Sequence, residues 1–156
     1  MSSFTPNLIH PMIVHLPIVL AIALVVTDHV ALFAGTNFGG RSCLANLSVL
    51  LAVLLGVFTF ITLVSGGISF ASAQQTGVSS EIMGVHRDMG KIFTTLAVFW
   101  AFLRGGLWWW RVEPNHLWRI LFVAFELGLI VMVALTAHYG MDLVYGHGIA
   151  VKLQAI

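Results

Sequence analysis

Charge is what this sequence has least of. Only 8% of its 156 residues are charged, against roughly a quarter in a soluble domain. So few charges cannot cover a water-facing surface, and 59% of the residues are hydrophobic. The chain is therefore expected to be an all-α integral membrane protein, since a helix satisfies its own backbone hydrogen bonds in lipid. Seven Lys and Arg against six acids leave a net charge of +1, too little for the clustered basic face that nucleic acid requires. The single cysteine, Cys43, excludes an internal disulfide framework and a thiolate cluster. No basic segment precedes the first apolar run, so a cleaved signal peptide is not expected.

What the sequence has in plenty is apolar runs of membrane length. Residues 1–156 read as one domain, a four-helix bundle of transmembrane spans joined by short polar turns. The first span runs from His10 to about Phe33, with Pro11 suited to its first turn and Pro17 expected to kink it near His15. The turn over 34–45 reads as polar. The second span is expected at about 46–71, the third at about 89–110 and the fourth at about 117–140, with 141–148 as a tail. Trp108, Trp109 and Trp110 end the third span as an interfacial aromatic belt. Small residues at Ser65, Gly66, Gly67 and Ser69 let a neighbouring backbone or a flat cofactor approach the second span. No internal repeat is visible. Four spans place both termini on one side. Arg41, Arg111 and Arg119 lie on the other, with Arg104 deeper in its helix, against Arg87, Lys91 and Lys152 on the terminal side, so the positive-inside rule leans slightly toward termini in the periplasm.

The seven histidines sort by side. His10, His15, His86, His138 and His147 fall toward the terminal face, whereas His29 and His116 fall toward the other and read as interfacial. The first span, with three histidines, is the stretch around which the chain is expected to be organised, because a polar ring in lipid is costly unless something uses it. His15 and His29 are 14 residues apart, roughly 21 Å along a helix and nearly on one face. That spacing is similar to the one by which transmembrane b-type cytochromes ligate two stacked haems. No second helix here repeats it, so one haem b is expected rather than two.

Haem fits this donor set because it needs only one or two axial imidazoles and an apolar, glycine-lined slot. Bare metal sites usually add carboxylates or thiolates, and the terminal side has few acids and no nearby cysteine. His15 is expected as an axial ligand, with His86 opposite it and His138 as the next choice. His10 and His147 are expected at the pocket edge as proton groups for quinol chemistry, and Arg87 and Lys91 near the propionates. A copper or zinc site built from His15, His86, His138 and His147 is the competing chemistry. Away from the histidines, Arg104 falls at a depth within reach of Asp28 and Glu126, either as a structural ion link or as a proton path.

His10-Pro11-Met12-Ile13-Val14-His15-Leu16-Pro17-Ile18 at the start and Leu143-Val144-Tyr145-Gly146-His147-Gly148-Ile149-Ala150-Val151 at the close are motifs. On them the chain resembles a bacterial family of small four-helix membrane proteins catalogued as a domain of unknown function. Asp28 and His86 also match the family pattern. Residues 137–142 depart from it, where the family has a glycine-rich stretch, so His138 stands on position alone. The resemblance implies a bacterial inner-membrane location and a shared histidine face, with links to cytochromes or redox enzymes. The expected function is a b-type cytochrome carrying electrons between quinol and a partner redox protein. The alternative is a non-redox accessory or assembly subunit of a larger membrane complex. Contact with membrane lipid is expected in either case, and a homo-oligomer would let a second copy complete the pocket.

Overall fold

The structure is a computed structural model and describes residues 9–36, 38–75 and 81–146. Its helices are α1 (Ile9–Ile13), α2 (His15–Phe33), α3 (Cys43–Gln75), α4 (Glu81–Trp109) and α5 (His116–Tyr145), with no strand among the described residues. Taken together as one span, α1 and α2 join α3, α4 and α5 as four segments long and apolar enough to cross a membrane. Antiparallel neighbours close a square: α2 packs on α3 and α5, and α4 packs on α3 and α5.

The kink expected near His15 is a break at Val14. Pro17 has no N–H to give the carbonyl four residues back, and its ring presses on that carbonyl. The Val14 N–H still reaches the His10 carbonyl at 3.1 Å, so α1 and α2 stay joined while changing direction.

The other helices outrun the expected spans. α4 starts at Glu81 rather than near 89, and α5 ends at Tyr145 rather than near 140. An apolar window stops at the first charges, but a helix does not. Asp88 and Lys91 pair at 2.8 Å, one turn apart on the exposed face of α4. His86 and His138 therefore sit within helices, not at their edges. Asn115 caps α5 by accepting the Trp118 N–H at 3.0 Å.

The outward surface is as apolar as the core. Val19, Phe60, Phe102 and Leu127 are exposed, which suits contact with lipid rather than water. Inside, α3 and α4 approach where Gly56 faces Ala101, a Cβ at Gly56 lying 2.8 Å from the alanine Cβ. Small residues at such a contact let dispersion between helices replace the hydrophobic drive that lipid lacks.

The centre of the bundle is ionic. Arg104 is 1% exposed and Asp28 0%. Arg104 Nη1 donates to Asp28 Oδ2, and its Nη2 donates to the Ser48 hydroxyl, which in turn donates to Asp28 Oδ1. Glu126 Oε1 lies 3.6 Å from the same guanidinium and accepts the Trp100 indole N–H at 3.0 Å. One cation on α4 thus links α2, α3 and α5. Phe38, Trp100 and Phe122 wrap the guanidinium, with ring centres 4.8, 5.8 and 5.8 Å away. Phe38 corrects the reading of 34–45 as a polar turn: it is 2% exposed and folds the loop inward over the cluster.

Removing one partner of a buried ion pair strands the other in low dielectric, a cost of about 3–5 kcal/mol. Asp28→Ala is expected to destabilise the bundle by that amount, whereas the double substitution Asp28→Leu with Arg104→Met loses clearly less. Reversible unfolding in mild detergent compares the two.

Candidate functional site

The histidine face was expected to centre on His15, but the structure brings His10 and His86 together instead. Their ring centres are 6.2 Å apart with planes 76° to one another. His10 comes from α1 and His86 from the second turn of α4, and both rings are about half-buried between helices.

Each ring is seated by the same device. His10 Nδ1 donates to the Thr62 carbonyl at 3.1 Å, and the ring lies on Gly66, where a Cβ would come within 2.8 Å of Cε1. His86 Nδ1 donates to the Thr136 carbonyl at 2.9 Å, and the ring lies on Gly140, where a Cβ would come within 3.0 Å of Cε1. A carbonyl only accepts, so Nδ1 carries the proton in both rings and Nε2 keeps its lone pair. This backbone bond is what fixes the tautomer of a metal-ligating histidine. Ser65 Oγ, 3.3 Å from His10 Nδ1, adds a contact on one side only. Ser69, one turn further along α3, has a buried hydroxyl with no partner among the described residues.

The shared seat reveals a repeat that the sequence reading missed. His10 and His86, Asp28 and Arg104, and Gly35 and Arg111 are each 76 residues apart; Thr62 and Thr136, and Gly66 and Gly140, are each 74 apart. The α2 and α4 ends match as well. Gly35 closes α2 with N–H bonds from Gly35 to the Leu32 carbonyl and from Thr36 to the Ala31 carbonyl. Arg111 closes α4 with N–H bonds from Arg111 to the Trp108 carbonyl and from Val112 to the Leu107 carbonyl. Both residues are left-handed, with φ of 66° and 54°, as this helix stop requires. Side-chain identity has drifted too far for direct comparison to find the repeat. The signal that does find it is Thr-x-x-x-Gly near the ends of α3 and α5, each about 50 residues after a histidine.

The remaining candidates lie apart from this pair. His15, at the start of α2, is exposed on the outer surface, as is His138 on α5, whose ring neighbours Tyr139 at 5.8 Å. His147 lies outside the described residues. His29 bonds the Val25 carbonyl of its own helix at 2.8 Å, and His116 is exposed at the start of α5. Arg87 stacks on Phe70 at 4.6 Å, and Lys91 is paired with Asp88. Among the described residues, no group of three His, Cys, Asp or Glu side chains converges on one point. Among the described residues the site is a pair of imidazoles.

The chain matches the family model described as "Predicted membrane protein (DUF2231)" over residues 6–153, and so belongs to that family. No curated protein and no solved structure matches it.

The glycine seats make a paired prediction. Gly66→Val is expected to push the His10 ring from its place and destabilise the bundle by about 1–3 kcal/mol. Gly67→Ala has nothing within 4 Å of the new Cβ and is expected to be neutral or stabilising by up to about 1 kcal/mol. Unfolding in detergent measures both.

Proposed function

We propose that this member of a family of predicted membrane proteins is a b-type cytochrome, with haem b held between His10 and His86. In this reading it moves electrons between quinol and a partner redox protein or larger membrane complex. The observation that supports it most is the matched pair of imidazoles, each with Nδ1 bonded to a carbonyl and Nε2 left as a ligand, 6.2 Å apart at their centres. Two imidazoles bound on opposite sides of one metal, with bonds of about 2 Å, have centres about 6 Å apart. Haem brings its own four equatorial nitrogens, so two protein ligands suffice; zinc sites take three or four.

The neighbouring residues suit such a group. The seats at Gly66 and Gly140 let each ring lie flush on a helix, and the Ser69 hydroxyl, one turn beyond Ser65 on α3, offers an uncommitted donor. When bound, haem supplies one-electron redox chemistry. The chain's part is to fix both tautomers and to keep the ligand pair in apolar surroundings. His10 thereby moves from the pocket edge to the ligand position first expected of His15. We place the protein in a bacterial inner membrane with Arg41, Arg111 and Arg119 cytoplasmic and the termini periplasmic. A second reading, a copper(I) ion held linearly by the same two nitrogens, is favoured by the same ring separation.

The deciding measurement is a reduced-minus-oxidised spectrum of the detergent-purified protein, with pyridine haemochrome and metal analysis. One haem b per chain is expected. It should be lost in His10→Ala and in His86→Ala and retained in His15→Ala and His138→Ala. A colourless protein with one copper per chain would establish the second reading. A colourless, metal-free protein would overturn the haem assignment and leave the accessory-subunit function, and an unchanged spectrum in His10→Ala would overturn His10 as a ligand.

A further inference from the structure

At the end of the bundle away from the histidine pair, the α2–α3 and α4–α5 turns press together. A Cβ at Gly39 would lie 1.8 Å from the Val112 carbonyl oxygen, so only glycine allows this approach. Between the turns is a cavity of about 270 Å³ lined by Gly39, Gly40, Arg41, Arg111 and Glu113. Two guanidiniums and one carboxylate give it an excess of positive charge.

The repeat supplies an internal control for one of these arginines. Gly35 and Arg111 hold the same left-handed position at the ends of equivalent helices. Glycine adopts that conformation freely, whereas a side chain with a Cβ is strained there. The first half uses the unstrained residue. The second keeps an arginine, and the turn's geometry gains nothing from it. What Arg111 adds is a guanidinium in the cavity.

The cavity also lies at the right level. Trp108, Trp109 and Trp110 immediately precede Arg111, and tryptophans at a span end mark the headgroup region. Arg41 lies over the Trp108 ring at 4.8 Å, and that indole donates to Asn46 Oδ1 at 2.8 Å, which fixes the ring. Trp109 and Trp110, exposed and next to Arg111 in the chain, provide apolar surface for an acyl chain. Arg119 is engaged elsewhere, donating to the Thr36 carbonyl at 3.2 Å.

We propose that the cavity between Arg41 and Arg111 binds the phosphate of an anionic phospholipid headgroup. Basic pockets between transmembrane helices are suited to such headgroups, and arginine matches phosphate through paired N–H donors. The site does not depend on the histidine pair or on what that pair binds.

The test is native mass spectrometry of the full-length protein with phosphatidylglycerol and phosphatidylcholine of identical acyl chains in competition. The wild type is expected to retain phosphatidylglycerol preferentially. Arg41→Gln and Arg111→Gly should each reduce that preference about fivefold. Arg111→Gly also removes the backbone strain, so its unfolding temperature in lipid-free detergent should equal or exceed that of the wild type. A weakened preference in that variant then cannot come from misfolding. An equal preference in wild type and both variants overturns the proposal. So does erasure of the preference by millimolar inorganic phosphate, which would assign the cavity to free phosphate.

Discussion

A guanidinium in the middle of a membrane-spanning bundle has no water to turn to, and everything around Arg104 is arranged to take water's place. Asp28 faces it from α2, Ser48 bridges from α3, and Glu126 approaches from α5. Aromatic rings close the remaining directions. In lipid, apolar faces discriminate poorly between packing partners, so rotation and register need another determinant. A buried charge provides one. Rotating α4 by one residue would leave Arg104 facing hydrocarbon, and shifting α2 would do the same to Asp28. The pair thereby sets the level at which the two halves of the chain meet, and so whether His10 and His86 meet at the other end.

The halves are related by an internal repeat, yet their central residues are opposite in charge. Asp28 and Arg104 hold equivalent positions. Two identical halves would oppose like charges here, and like charges in a low dielectric repel strongly. The difference makes one half the complement of the other. At the histidine end the halves remain alike, each contributing a ring on a glycine with its Nδ1 bonded to a threonine carbonyl. The site is nearly symmetric; the lock is not.

Much of this was legible in the sequence, because hydropathy and charge act over whole helices. The four spans, the reach of Arg104 to Asp28 and Glu126, the small-residue surface near Gly66 and the gathering of histidines toward one face all follow from composition and depth. What was missed depends on rotation. His10 and His15 are five residues apart, roughly 7.5 Å along a helix, and only His10 turns inward. Eighteen residues, or about five full turns, separate His10 from Asp28 and put both on one face, whereas His15, thirteen away, falls about 140° round. An expectation built on depth did not register that difference. Phe38 was missed for a related reason. A single aromatic among glycines reads as part of a turn, and only the cation beneath it explains its burial.

The break at Val14 has a consequence for the histidine pair. His10 belongs to α1, a five-residue segment with no buried residue of its own, held on α3 through the histidine's contacts with Thr62, Ser65 and Gly66. The central ion pair belongs entirely to the longer helices. The short segment can therefore leave α3 without disturbing that pair, whereas His86 is built into a helix that cannot leave. One imidazole is a fixed jamb and the other is carried by a five-residue segment joined at Val14, so the spacing of the two rings is set by contacts separate from those of the central lock.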